Sequence, residues 1–206
     1  MLGPHRQSCT GYRAATRVQR LGEAIHVLRG AWADEPFSYA GRHYRCTDLD
    51  LDPRPMQRPG PAIHVGAGGP AMLRLAARQA DIVNIANRTA EDGRGVHGLD
   101  VGPDAFRAKV DLVRRTALGR LPMPELSVSI RVLAVDDEPG VVYPALREHF
   151  AALRGTPAML HGSVEEVVAE ILRWNEDCGI SYFVLGEDAR AEQLADVITA
   201  VRATGR

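Results

Sequence analysis

The sequence predicts an α/β fold built on about four parallel strands. From Ala62 onward, apolar runs alternate with amphipathic segments to give four strand-then-helix units, and no hairpin signal joins one strand directly to the next. This alternation implies parallel strands with helices packed against the sheet. A helix also precedes the first strand, with Val18, Leu21, Ile25 and Leu28 on one face. Both an open doubly wound sheet and part of a closed barrel satisfy this pattern.

The first two units each combine a short apolar run with a segment of helical spacing. The runs Ala62–Ala67 and Asp81–Ala86 are typical of buried strands, the first entered through prolines and left through glycines. Helices are predicted at Pro70–Gln79, where the proline suits a first turn, and at Pro103–Leu118. A polar loop, Asn87–Gly102, separates the second strand from its helix.

The last two units contain one extra helix with a clear start and end. Ser163 and Glu166 have the spacing of a capping box, and Gly179 ends the helix that they begin. The remaining predicted elements are a strand at Leu126–Val135, a helix at Val141–Leu153, a strand at Ser181–Gly186 and a helix at Ala191–Ala203.

Composition predicts a single globular domain over residues 1–206, with 1–15 disordered. The chain is 45% hydrophobic and 25% charged, and its net charge of −1 indicates neither a nucleic-acid nor an anionic membrane partner. No apolar run approaches the roughly 18 residues of a membrane span. Cys9, Cys46 and Cys178 are far apart and form no C-x-x-C pair, which favours a reducing cytoplasm. The abundance of Ala, Val, Gly and Arg is typical of a GC-rich bacterial genome.

Four motifs occur in a fixed order in the first third of the chain: Arg17-Val18-x-Arg20-Leu21-x-Glu23-Ala24, Gly41-Arg42-His43-Tyr44, Pro53-Arg54-Pro55-x-Gln57-Arg58-Pro59 and Pro61-x-Ile63-x-Val65-Gly66-x-Gly68-Gly69. This ordered set resembles the luciferase-like monooxygenase superfamily, in particular its deazaflavin (coenzyme F-420)-dependent oxidoreductases. The similarity returns at Gly162–Val167 and Gly179–Tyr182. The resemblance implies a partial (β/α)₈ TIM barrel made of strands five to eight.

The resemblance also implies a truncated barrel. A complete barrel of this kind needs about 250 residues, and the chain aligns only from the fourth helix to the end. The family holds much of its cofactor ring on strands one to four. Catalytic residues are therefore unknown, and whether the isolated chain is an enzyme stays open.

The turn after the first strand is the predicted cofactor site. It joins the carboxyl end of a strand to a helix start, where glycines permit close approach and N–H groups favour anions. By resemblance the turn lies against coenzyme F-420 or FMN; the alternative is a tight turn without a ligand. The predicted cofactor-binding residues are Gly66, Ala67, Gly68, Gly69, Pro70, Asn87 and Arg88. For Asn87 and Arg88 the alternative is a surface loop.

The histidines predict no catalytic or metal site. His43 lies in the Gly41–Tyr44 motif, which the resemblance makes structural, and His64 alternates within a strand as a satisfied core histidine does. His97, His149 and His161 lack a ligand spacing such as H-E-x-x-H, so no metal site is predicted.

Three functions are compatible with this sequence. The leading one is hydride transfer between coenzyme F-420 or FMN and a small organic substrate, whose identity the sequence does not give. The second is an inactive half-barrel that self-associates into a homodimer or higher oligomer, or that needs a partner chain. The third is a module that binds a phosphate-containing ligand without turnover.

Overall fold

One helix and one antiparallel hairpin form the N-terminal of two compact units, which divide between Ala62 and Ile63. The computed structural model describes residues 14–88, 100, 102–186 and 194–205. The disorder predicted for 1–15 lies mostly outside these residues, although Ala14 and Ala15 already belong to a helix. The elements of this unit are α1 at Ala14–Ala31, β1 at Phe37–Ala40 and β2 at Arg45–Leu49.

The Gly41–Tyr44 motif is the hairpin turn, and Glu23 of α1 holds it. The Glu23 carboxylate accepts backbone N–H bonds from Arg42 at 3.1 Å, His43 at 2.8 Å and Tyr44 at 3.0 Å. A Cβ added at Gly41 would lie 2.4 Å from Glu23 Oε2, so a larger residue would displace this carboxylate. The motif therefore links the hairpin to α1.

A four-stranded parallel sheet forms the centre of the C-terminal unit, as predicted. Its strands span His64–Ala67 (β3), Ile82–Ile85 (β4), Glu125–Ile130 (β5) and Ile180–Leu185 (β8). They lie in this order in the sheet, and every neighbouring pair runs parallel. Helices α2 (Pro70–Gln79), α3 (Gly102–Thr116) and α7 (Leu194–Ala203) follow β3, β4 and β8, and α6 (Val164–Cys178) leads into β8.

The predicted third strand is wrong as one element, because the chain changes sheets at Arg131. β5 ends at Ile130, and β6 (Val132–Val135) pairs in parallel with β7 (Met159–Gly162), which the sequence did not predict. The N–H of Arg131 donates to Ala158 O at 2.8 Å, so the pairing with the new partner begins at the break itself.

The continuous helix predicted at 141–153 is also wrong. The segment forms a short helix α4 at Pro139–Val142, a 3₁₀ helix at Pro144–His149 and a short helix α5 at Phe150–Leu153. Pro144 has no N–H to donate and its ring obstructs the preceding turn, so one α-helix cannot run through it.

The helix ends and the apolar core follow the prediction closely. Ser163 and Glu166 form both hydrogen bonds of the capping box, and Gly179 ends α6 in the left-handed conformation at φ 62°. Trp174 of α6 is fully buried and meets Phe106 of α3 edge-on, with ring centroids 5.2 Å apart. The side chains of the sheet that belong to this core include Val65, Ala67, Val83, Ile85, Leu126 and Val128.

The opposite face of the sheet is concave. The His64 ring on β3 lies 5.9 Å from the Tyr182 ring on β8, although two strands separate them. In a flat sheet those strands would be about 14 Å apart, at roughly 4.8 Å per neighbour. Such curvature is typical of an arc of a closed barrel and not of an open sheet. Among the described helices, none is long and apolar enough to cross a membrane.

Candidate functional site

The predicted glycine turn lies at the carboxyl edge of the parallel sheet. Gly66 and Ala67 are the last residues of β3, and Ala67 O accepts the N–H of Ala86 at 3.0 Å as the neighbouring strand β4 ends. In parallel α/β folds this edge is where ligands bind. All seven predicted cofactor-binding residues are among the described ones.

Gly68 brings the two predicted segments together. A Cβ added there would lie 2.4 Å from Asn87 O and 2.8 Å from Arg88 N. The backbones are in such close contact that no larger residue fits without moving one of them. Gly68 thus packs the turn against Asn87 and Arg88, and its role is structural.

Gly69 and Pro70 begin α2. Gly69 is the N-cap, with φ −86° and ψ 153° and no side-chain cap, and the first helical hydrogen bond runs from Leu73 N to Gly69 O at 2.9 Å. The N–H groups of Ala71 and Met72 therefore have no intrahelical acceptor. Uncapped donors at the positive end of the helix dipole favour an anion such as a phosphate.

Two glycines of the turn face open space. A Cβ added at Gly66 or Gly69 would have no atom within 4 Å, in contrast to Gly68. Gly66 lies on the concave face and Gly69 at the helix start, so a ligand can approach the backbone at both positions. Open space at Gly69 thus lies beside N–H groups that have no intrahelical acceptor.

An ion pair that the sequence did not predict holds the backbone of Asn87 and Arg88 in place. The Lys109 ammonium contacts the Asp100 carboxylate at 2.5 Å and Ala86 O at 2.8 Å, and Asp100 also accepts the N–H of Arg88. The Lys109 side chain is only 7% exposed. The sequence feature that could have indicated this pair is the position of Lys109, a charged residue next to Val110 on the apolar side of α3.

A polar cluster occupies the concave face, and it corrects the prediction for His64. The His64 side chain is exposed and not in the core, and its Nε2 lies 2.8 Å from Ser127 Oγ. Asn84, only 8% exposed, donates through Nδ2 to Ser127 Oγ at 3.1 Å and to Ser129 Oγ at 3.2 Å. Asn84, Ser127 and Ser129 were not predicted as a group, because strand spacing alone does not show which side chains meet.

A separate cavity of about 640 Å³ opens where β6 and β7 end. Its lining carries both signs of charge, including Asp136, Arg147, Arg154 and Glu166. None of the predicted cofactor-binding residues lines it. Glu166 is already engaged in the capping box, so this helix start is not open to an anion.

Two curated enzymes are similar to parts of this chain. An FMNH(2)-dependent dimethylsulfone monooxygenase of Pseudomonas putida is 32% identical over 122 residues, which are 59% of this chain and 30% of that enzyme. An F420-dependent glucose-6-phosphate dehydrogenase of Microbacterium testaceum is 43% identical over 68 residues, which are 33% of this chain and 20% of that enzyme.

Solved structures show the same fold at low sequence identity. An F420-dependent secondary alcohol dehydrogenase in complex with an F420-acetone adduct matches 96% of this chain with a TM-score of 0.64 and 20% identity. A long-chain alkane monooxygenase matches 95% of it with a TM-score of 0.66 and 13% identity. The chain covers 65% and 58% of these two proteins, so its sheet is part of such a barrel.

The family model for luciferase-like monooxygenases matches residues 2–200, nearly the whole chain. This match spans both compact units, from α1 to α7. The chain therefore belongs to the luciferase-like monooxygenase family.

Proposed function

We propose that this chain binds coenzyme F-420 or FMN at the glycine turn and serves hydride transfer between that cofactor and an organic substrate. The observation that carries the proposal is the junction of Gly68 with Asn87 and Arg88 beside the uncapped start of α2. This junction lies at the carboxyl edge of a barrel sheet, where such enzymes bind their ligands.

In this proposal, different residues of the turn have different roles in binding the cofactor. Gly66 and Gly69 leave room for the cofactor, and the N–H groups at the start of α2 would bind a phosphate on its tail. The exposed Arg88 guanidinium would add a second positive group. Asp100 and Lys109 do not contact the ligand in this scheme; they hold the backbone that does. When bound, the cofactor ring supplies the hydride chemistry.

The degree of local sequence identity slightly favours the deazaflavin over FMN. The stronger local identity, 43%, is to an F420-dependent enzyme, while the longer alignment, 122 residues, is to an FMNH(2)-dependent one. Both cofactors carry a phosphate on the side chain of a tricyclic ring, so the glycine turn accommodates either by the same interactions.

Fluorescence titration tests the proposal. Purified chain is added to coenzyme F-420, and in a parallel series to FMN, and saturable quenching with a micromolar Kd is expected for at least one of them. Riboflavin, which lacks the phosphate, serves as the control and should bind at least tenfold more weakly than FMN. Absence of saturable binding to either phosphorylated cofactor up to high micromolar concentration would exclude the proposed function for this chain.

A further inference from the structure

The concave face of the sheet is polar where a barrel interior is ordinarily apolar. Bulky branched residues usually fill the interior layers of such barrels. Here the positions on this face include His64, Gly66, Asn84, Ser127 and Tyr182. Tyr182 on the same face is 45% exposed.

Hydrogen bonds fix the orientation of the His64 ring. Asn84 directs its two N–H bonds to Ser127 and Ser129, which makes Ser127 Oγ an acceptor. The same Ser127 Oγ lies 2.8 Å from His64 Nε2, and the hydrogen bond between them holds the imidazole in place. Among the described residues, only Nε2 of this ring has a hydrogen-bond partner.

The His64 ring shares its face of β3 with the open position at Gly66. Gly66 follows His64 by two residues, so both face the concave side of β3. Because a Cβ at Gly66 would meet nothing within 4 Å, no side chain separates His64 from the turn along this strand. A cofactor whose tail is bound at the turn can extend its ring along this opening.

We propose that His64 is a cofactor-contacting residue, whose Nδ1 forms a hydrogen bond with a polar atom on the ring of the bound deazaflavin or flavin. Ser127 and Asn84 are positioning residues in this arrangement, because they act only through His64. Tyr182, 5.9 Å from the imidazole, lines the same space with an aromatic ring. The inference rests on the proposed function, since it requires a cofactor at the glycine turn.

Two matched variants test the inference by binding. His64→Phe keeps a ring but removes both ring nitrogens, while His161→Phe makes the same change at an exposed strand histidine on β7. Loss of one hydrogen bond to the ligand predicts about tenfold weaker binding for His64→Phe. His161→Phe should bind within about twofold of the unmodified chain. Circular dichroism verifies that both variants are folded.

Nuclear magnetic resonance of the unmodified chain provides a test that does not depend on variant folding. The imidazole signals of His64, assigned through their change in Ser127→Ala, should shift saturably when the cofactor is added, and those of His161 should not. Cofactor binding without a His64 shift, or equal affinities for the two phenylalanine variants, would refute the inference and leave the proposed function standing. Absence of any cofactor binding would overturn both.

Discussion

Gly66 and Gly68 lie two residues apart, yet their surroundings assign them different roles. A Cβ at Gly68 would lie 2.4 Å from Asn87 O, whereas one at Gly66 would meet nothing within 4 Å. Gly68→Ala is therefore expected to lower the free energy of unfolding by about 1–3 kcal/mol through overpacking against backbone. Gly66→Ala should change it by less than about 1 kcal/mol. Urea unfolding followed by circular dichroism compares them, and equal losses would contradict the assignment.

Lys109 provides a second test at the residue scale. Removing its charge in Lys109→Met leaves the Asp100 carboxylate, 17% exposed, without its cation. We expect a loss of about 2–4 kcal/mol in the free energy of unfolding, somewhat below the range for fully buried pairs. The control is Asp104→Asn, which breaks an exposed ion pair with Arg107 and should cost less than about 1 kcal/mol. A similar loss of unfolding free energy for both changes would mean that Lys109 does not hold the backbone at Ala86 and Arg88.

At the scale of elements, the hairpin depends on one carboxylate. Desolvation raises the pKa of Glu23, but three backbone N–H donors together outweigh it, and the pKa lies below its ordinary value. A depressed pKa contributes stability above the unfolded value of about 4.3 that is lost as the pH falls through the folded pKa. The stability advantage of the unmodified chain over Glu23→Gln should therefore be full at pH 7 and shrink at pH 3.

The measurement for Glu23 is urea unfolding at the two pH values, followed by the intrinsic fluorescence of Trp32 and Trp174. Trp32 packs against Gly60 in the same unit as Glu23 and reports on that unit. Glu35→Gln, a change at an exposed residue of this unit, is the control. An advantage over Glu23→Gln that is the same at pH 3 and pH 7 would show that the charge of Glu23 does not stabilise the hairpin turn.

Which elements the sequence predicts depends on where their stabilisation comes from. The capping box of α6, its end at Gly179 and the start of α2 at Pro70 are local, so residue type and spacing indicate them. β7 is four residues long and exists because β6 pairs with it. The break at Arg131 has the same origin, since periodicity within a run cannot show that its halves have different partners.

At the scale of the whole molecule, the barrel character of the sheet comes from contacts between distant strands. Periodicity fits an open sheet equally well, and only the approach of His64 to Tyr182 shows the curvature. The glycine turn is local and could be predicted from the sequence. The Asp100–Lys109 pair and the Asn84–Ser127 cluster depend on contacts between different segments of the chain and could not. Self-association of the chain stays a prediction; β3 and β8 each have one strand neighbour among the described residues.

The central claim is that the start of α2 binds a cofactor phosphate, and a pair of variants at Gly69 tests it most directly. Asp and Asn are both good N-caps with similar shape, and a Cβ at Gly69 would meet nothing within 4 Å, so we expect both variants to fold as well as the original chain. Only Gly69→Asp adds a negative charge where the phosphate would lie.

The measurement is the Kd for coenzyme F-420 and FMN of both variants, taken by fluorescence titration at low salt. The account predicts that Gly69→Asp binds at least tenfold more weakly than Gly69→Asn and that raising the salt concentration narrows this difference. Equal affinities of the two variants for a cofactor that the unmodified chain binds would contradict the claim, because the phosphate would then be bound elsewhere.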